Sequence, residues 1–98
     1  MTVQTRPFDP AEYLDTADGI EAFLADAFAH GDAAEIADAL GVVARARGMS
    51  ELARETGLSR ASLYRALSAE GRPELPTVLK VMAALGLRLA AVPAEPAA

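Results

Sequence analysis

Two arginines and three hydroxyl-bearing side chains cluster in the run Ser59-Arg-Ala-Ser-Leu-Tyr-Arg65. On a helix, Arg60 and Arg65 lie about one and a half turns apart, and both are long enough to reach base edges. An arginine guanidinium can donate two hydrogen bonds to O6 and N7 of guanine, so this pair could read sequence in a DNA major groove. The residue types and their spacing therefore predict a helix that contacts DNA.

The neighbours of the two arginines are expected to contact the duplex in other ways. Ser62 can bond a base or a phosphate, and the short Ala61 can touch a thymine methyl group. The Tyr64 hydroxyl can bond a phosphate, and the alternative for this side chain is partial burial against a neighbouring helix. Helix starts are expected at Ser50 and Ser59, where hydroxyls and backbone N–H groups would meet phosphates. The candidate DNA-binding residues are Ser50, Ser59, Arg60, Ala61, Ser62, Tyr64 and Arg65.

Two short helices joined by a glycine turn are expected to position these side chains, within residues 49–68. Gly57 stands where a left-handed residue ends the first helix, and Ser59 is placed to cap the second. Leu63 and Leu67 recur at helical spacing and point towards the core. The alternative is a plain helical hairpin with solvated arginines. The helix cap, the turn glycine and the spacing of the apolar residues all agree with a helix-turn-helix motif and favour it. In such a motif the second helix enters a DNA groove.

Glycines and cap residues divide the remaining chain into further helices. Asp32 followed by Glu35 resembles a capping box, which opens a helix. Residues 87–92 alternate weakly, and they form either coil or a strand that pairs with a second copy of the chain. The prediction is an all-α domain of five or six helices, with a short C-terminal strand as the open alternative. Helices are expected from Thr16 to His30, Asp32 to Arg47, Ser50 to Thr56, Ser59 to Ala69 and Leu75 to Leu85, with one further turn at 10–14.

Charge is distributed unevenly along the chain. The net charge of −5 argues against a simple nucleic-acid binder, but it conceals an acidic part and a basic part. Residues 1–40 hold nine acidic residues and one basic residue, whereas residues 41–80 hold seven basic and four acidic residues. The helix-turn-helix therefore lies in the only basic part, and the acidic part should face away from DNA or be covered by a basic partner. Further phosphate candidates in the basic part are Arg47, Arg54 and Arg72.

The small positive charge of the basic part predicts the oligomeric state. A net of +3 over residues 41–80 gives one copy few phosphate contacts, so a single copy should bind DNA weakly. Two copies would double the contacts and read two half-sites about 34 Å apart. We therefore expect a homodimer on palindromic operator DNA.

Composition argues against several other classes of protein. The absence of cysteine leaves no disulfide and no thiolate zinc site, and it fits a reducing cytosol, so a cytoplasmic location is expected. The single histidine, His30, cannot hold a metal ion alone. No apolar run approaches the ~20 residues that span a bilayer. No nucleophile motif or phosphate-binding loop is present, so we expect neither catalysis nor a cofactor.

The chain resembles a known bacterial family through motifs along most of its length. The motifs are Phe8-Asp-Pro-Ala-Glu-Tyr-Leu14, Gly31-Asp32, Ala39 to Ser50, Leu52 to Ser68 and Thr77 to Leu87. Over about residues 7–90 the chain is similar to HigA-like addiction-module antidote proteins with a Cro/lambda-repressor-type helix-turn-helix. The resemblance implies a lambda-repressor-like core and two activities. These are neutralisation of a small basic RelE/HigB/ParE-like toxin by direct binding, and repression of the shared operon.

Resemblance and charge together suggest three parts. Residues 1–31 would form an acidic helical segment that faces the toxin, residues 32–86 a DNA-binding core, and residues 87–98 a short strand and tail. A basic toxin would be attracted to the acidic segment, with apolar residues as anchors. The alternative is that these acids only keep a helical cap soluble. The candidate toxin-binding residues are Phe8, Asp9, Glu12, Tyr13, Leu14 and Asp15, and further candidate contacts are Asp18, Glu21 and Asp26.

Two other functions are compatible with the sequence. The first is a stand-alone phage-type repressor without a toxin, which the absence of a small basic reading frame beside the gene would favour. The second is a protein-binding helical module that has no DNA contact. Replacing Arg60 and Arg65 with alanine would distinguish this module from a DNA-binding protein. In such a module the two substitutions would leave operator binding unchanged.

Overall fold

The computed structural model describes residues 16–94, which contain five α-helices and no strand. The helices are α1 (Ala17–His30), α2 (Ala33–Arg47), α3 (Met49–Thr56), α4 (Arg60–Ala66) and α5 (Leu75–Ala84). The all-α prediction is therefore confirmed, and the architecture is compatible with a small helix-turn-helix-like domain. The extra helical turn predicted at 10–14 lies outside the described residues.

Thr16 and Ser59 cap their helices as the sequence predicts. The Thr16 hydroxyl accepts a hydrogen bond from the backbone N–H three residues later at 3.0 Å, and the Ser59 hydroxyl does the same at 3.0 Å. Each bond satisfies one of the backbone donors that the first turn of a helix leaves without a partner. Gly31 and Gly57 end α1 and α3 in the left-handed conformation, with φ of 72° and 76°. Glycine adopts this conformation without the steric cost that a Cβ atom brings.

The predicted capping box at the start of α2 is wrong. Asp32 occupies the cap position, but its side chain makes no capping hydrogen bond. Glu35, the expected partner in the box, instead contacts His30 at the end of α1, with 2.8 Å between Oε2 and Nδ1. The glutamate therefore joins two helices rather than closing the first turn of its own helix.

This contact should be visible in the titration of His30. The hydrogen bond to Glu35 and the charge of that carboxylate raise the pKa of His30 above its ordinary 6.5, and Asp26 adds to the effect. The imidazolium contributes stability below the unfolded-state pKa, and the contribution is lost as pH rises through the higher folded-state pKa. The effect on stability is small because both side chains are exposed. NMR titration of the sole histidine should give a pKa above 6.5, and Glu35→Gln should lower it. An unchanged pKa in that variant would count against the contact.

Two further helix boundaries differ from the prediction. α3 begins at Met49 with Gly48 in the cap position, so Ser50 lies inside the first turn and does not cap the helix. The carbonyl of Gly48 accepts the first hydrogen bond of the helix at 3.0 Å. α4 ends at Ala66, three residues before the predicted end at Ala69.

The core is built from aliphatic side chains that all five helices supply. α1 packs on α2, while α3 and α4 pack on each other and on α2, and α5 packs on α3. No polar or charged side chain is buried among residues 16–94, so the fold rests on apolar packing. None of the helices in this range is both long and apolar enough to cross a bilayer. The largest fully buried side chains are Leu24, Leu40, Val43, Leu52, Leu63, Leu67 and Val81.

α2 and the end of α4 approach each other closely at Gly41. A Cβ atom added to Gly41 would overlap the backbone carbonyl oxygen of Leu67, the residue that follows α4. Because that oxygen belongs to the backbone, no side-chain rotation can relieve the overlap. Glycine at this position therefore sets the distance between α2 and α4.

Residues 87–94 follow α5 without regular secondary structure. The N–H of Leu87 bonds back to the carbonyl of Met82 at 2.8 Å. No backbone group of residues 88–94 makes a hydrogen bond to another backbone group within the described stretch. Of the two alternatives for this segment, coil is therefore the one present in the single chain.

Candidate nucleic-acid interface

α3 and α4 form the scaffold for most of the candidate DNA-binding residues. Between them, the Thr56 hydroxyl donates a hydrogen bond to the carbonyl of Leu52 at 2.8 Å and accepts one from the N–H of Leu58 at 3.2 Å. These two bonds tie the turn to the end of α3. Leu52 and Leu63 anchor the two helices in the core, since both are fully buried. Thr56 is not among the residues predicted for this site, and its place one residue before the turn glycine is the signal in the sequence that points to it.

The outward side of α4 carries the residues that the sequence predicts there. Arg60, Ala61 and Arg65 are exposed, and Tyr64 is 45% exposed. The Arg60 guanidinium lies 5.9 Å from the centre of the Tyr64 ring, which is within the range of a cation–π contact. The structure therefore brings both arginines and the tyrosine to the surface of one short helix.

Ser59 and Ser62 form a local network at the start of α4. The Ser59 hydroxyl accepts from the backbone N–H of Ser62 at 3.0 Å and donates to the Ser62 hydroxyl oxygen at 2.9 Å. Ser62 thus keeps its own hydroxyl proton for an incoming acceptor, such as a phosphate oxygen. Ser50 is exposed in the first turn of α3 and takes no part in this network.

Two arginines outside α4 are paired with glutamates of α3. Arg47 lies 3.1 Å from Glu51 and 3.7 Å from Glu55, and Arg54 lies 4.0 Å from Glu51. Surface pairs of this kind contribute only ~0–1 kcal/mol to stability, but they reduce the positive charge offered to a phosphate. No ion pair among residues 16–94 involves the arginines of α4. Five arginines of this range form no ion pair, and Arg60 and Arg65 of α4 are two of them; the others are Arg45, Arg72 and Arg88.

A groove of about 660 Å³ lies beside α4 and is bounded by the connector to α5. Arg65 and Arg72 both line it, so the structure brings a third predicted cation next to α4. Ser62 and Thr77 also line the groove, and so do Glu70 and Glu74. Guanidinium and hydroxyl groups together are donors suited to phosphate oxygens.

Gly71 holds this connector against α4. A Cβ atom on Gly71 would overlap the backbone carbonyl oxygens of Arg65 and Ala66, so a larger residue could not pass this closely. The Gly71 N–H also bonds to the carbonyl of Ser68 at 2.9 Å. The chain therefore turns back over the last carbonyls of α4, which is the physical reason why the helix stops before Ala69.

The six candidate toxin-binding residues between Phe8 and Asp15 lie outside the described residues. The further acidic candidates on α1, Asp18, Glu21 and Asp26, are all exposed. Residues 16–40 contain six acidic residues and neither lysine nor arginine. α1 packs mainly on α2, whereas the exposed Arg60 and Arg65 lie on α4.

Comparison with known proteins relates this arrangement to a family. A family model described as probable addiction module antidote protein matches residues 4–93. The chain belongs to this antidote family. An uncharacterized protein from Haemophilus influenzae is 46% identical to the antidote over 88 residues, which cover 90% of this chain and 91% of the relative. No solved structure matches the antidote.

Membership assigns the antidote a general role. An antidote of an addiction module acts as an antitoxin, so a toxin partner follows from the family. The resemblance noted in the sequence is thereby confirmed at the level of the antidote family. Antidotes of this kind are in general not enzymes.

Proposed function

We propose that this antidote neutralises a small basic toxin of the RelE/HigB/ParE type by direct binding, and that it represses its own operon through operator DNA. In this proposal α3 and α4 are a HigA-like, Cro-type helix-turn-helix within residues 32–86, and residues 1–31 face the toxin. The observation that carries the DNA activity is the exposed pair Arg60 and Arg65 on α4. Both lack an ion-pair partner among the described residues, and their helix is anchored by a fully buried leucine.

The DNA-binding step follows from the geometry of α4. Its seven residues give a rod of roughly 10 Å, which matches about three base pairs of a duplex. Arg60 and Arg65 would form bidentate hydrogen bonds to guanines, while Ala61 would meet a thymine methyl group. The hydroxyls of Ser62 and Tyr64 would bond phosphates and fix the register.

Three base pairs are too few for a unique operator, so a second copy is part of the proposal. Leu75 and Leu79 are 61% and 45% exposed, and they lie one turn apart on α5. Lys80 is the only charged residue of this helix. An apolar and nearly neutral side can pack on its own copy without like-charge repulsion, which an isologous dimer requires. Light scattering should therefore give about twice the chain mass of 10.2 kDa.

Co-expression with the adjacent gene tests the toxin activity. The product of the adjacent gene, which the proposal predicts to be a small basic protein, should arrest growth when it is expressed alone, and the antidote should restore growth and co-purify with it. The physical basis is attraction between a cationic protein and the acidic part of the antidote. Continued growth arrest with the antidote present, and no co-purification, would overturn this half of the proposal.

A gel shift on the promoter upstream of the gene tests the DNA activity. The antidote should retard this DNA in the presence of excess unrelated duplex, and the affinity should fall as salt is raised. Specific retardation by a chain that binds no toxin would favour the phage-type repressor. Toxin neutralisation without retardation would instead favour an antidote that acts through protein contacts alone.

A further inference from the structure

A second groove, of about 420 Å³, lies between α1 and the chain that follows α5. Leu24 and Phe28 line it from α1, together with Met82 of α5. The opposite wall is made by residues 87–90 and Val92. Most of this lining is apolar, so the groove offers a surface that water solvates poorly. Its walls are more than fifty positions apart in the sequence, and only the fold brings them together.

The C-terminal wall of this groove has unused binding capacity. Leu89 and Val92 are 41% and 79% exposed. Residues 88–94 form no backbone hydrogen bond to another backbone group of residues 16–94. A backbone N–H or C=O group without a protein partner can bond the backbone of an incoming polypeptide, as in the addition of a strand. The groove therefore suits a polypeptide segment better than it suits a small molecule.

The α1 wall of the groove is apolar at its floor and carries acidic residues at its edge. Glu21 lines the groove, and Asp18 lies one turn before it on the same side of α1. Asp26 is exposed further along the helix, and none of these three carboxylates forms an ion pair among the described residues. Among the described residues, Arg88 is the one cation in the lining. A polypeptide bound in the groove would thus contact apolar side chains at its floor and mostly negative charge at the edge formed by α1.

We propose that this groove binds a segment of the toxin in which apolar and cationic side chains alternate. The apolar side chains would pack on Leu24 and Phe28, and lysines or arginines would pair with Asp18 and Glu21. The toxin backbone would bond the free peptide groups of residues 88–92. This inference rests on the proposed toxin partner, and it assigns the C-terminal segment to toxin binding.

A second copy of the chain fits this groove less well than a basic toxin does. Pairing of the α1 edge of the groove with its own copy would bring the carboxylates of Asp18, Glu21 and Asp26 towards an identical set. Like charges placed across an interface oppose association. The nearly neutral side of α5 carries no such penalty, so the two partners would occupy different surfaces.

Two groove variants and a matched control test the inference, each in the full-length antidote. The probe is the product of the adjacent gene, which the proposed function predicts to be a small basic toxin, immobilised for a binding measurement at low salt. Glu21→Lys and Leu89→Asp should each weaken binding by about tenfold or more, as the loss of a central contact does. Asp38→Lys changes the net charge as Glu21→Lys does, at an exposed position of α2 outside the groove lining, and it should weaken binding less than about threefold. Circular dichroism should show that all three variants keep wild-type helix content.

The possible outcomes separate the inference from the proposed function. Equal losses in Glu21→Lys and Asp38→Lys would show that only overall charge matters, and would overturn the groove. Wild-type affinity of both groove variants for the probe would also overturn the groove as the binding site, but it would leave the proposal of a toxin partner intact. Conversion of a dimer to a monomer by Leu89→Asp without the toxin would assign the groove to a second copy. If the wild-type antidote does not bind the probe at all, the toxin half of the proposed function fails, and this inference fails with it.

Discussion

A Gly41→Ala variant is expected to be less stable than the wild-type chain, although alanine is the better helix former. Within a helix, this exchange alone stabilises by roughly 0.5–1 kcal/mol. Here the new Cβ would overlap the backbone carbonyl oxygen of Leu67, and added atoms in a packed core cost typically about 1–3 kcal/mol. The new Cβ is fixed to the α2 backbone and the atom it meets is also backbone, so neither can rotate away. We therefore expect the upper end of this cost and a net loss of stability. Thermal unfolding should show a melting temperature lower by at least about 5 °C.

Ala46→Gly is the matched control for this prediction. It removes the same methyl group from an exposed position of α2, so helix propensity alone should lower stability by roughly 0.5–1 kcal/mol. If propensity governed both positions, the two substitutions would change the free energy of unfolding in opposite directions. We expect both to lower it. A Gly41→Ala variant that melts above the wild type would contradict the close approach of α2 and α4.

Replacing Arg60 or Arg65 with alanine should weaken operator binding with little change in the free energy of unfolding. Both side chains are exposed, and neither forms an ion pair among the described residues. Loss of one bidentate contact to guanine costs about 1–3 kcal/mol, which is about 5- to 150-fold in affinity. A dimer loses each contact twice per operator. The double variant should therefore lose specific retardation of the upstream DNA at a salt concentration where the wild type binds.

Two controls separate base reading from simple charge attraction. Arg54→Ala removes one positive charge from α3, where the side chain is 74% exposed, and it should weaken binding to all DNA sequences by the same small factor. Arg65→Lys keeps the charge but cannot form the planar two-bond contact, so it should lose discrimination between operator and unrelated DNA. Operator affinities of the Arg60→Ala and Arg65→Ala variants that both equal that of Arg54→Ala would show that the arginines of α4 do not read bases.

Helix ends with a local cause were predictable from the sequence. Thr16 and Ser59 cap through bonds that reach only three residues along the chain. Gly31 and Gly57 end helices because the left-handed conformation favours glycine wherever it occurs. The exposed side of α4 was predictable for a similar reason, since the helical period alone decides which residues oppose the buried leucines.

Features set by contacts between distant segments were not predictable in the same way. Glu35 bonds His30 instead of completing a capping box, and this contact depends on the packing of α1 on α2. α4 ends early because Gly71 crosses its last carbonyls, and Gly41 looks in the sequence like a weak helix residue rather than a point of close approach. The groove between α1 and residues 87–92 likewise depends on the path of the chain after α5.

The free backbone of residues 88–94 bears on how long the antidote survives next to a protease. A protease must hold its substrate in an extended form, and cleavage concentrates in exposed segments whose backbone has few bonds to break. These residues offer such a site, because their peptide groups have no backbone partner within residues 16–94. A cut there would remove one wall of the groove and leave all five helices whole. A partner bound in the groove would shield this segment from the protease. The lifetime of the antidote would then depend on the fraction of grooves that are occupied.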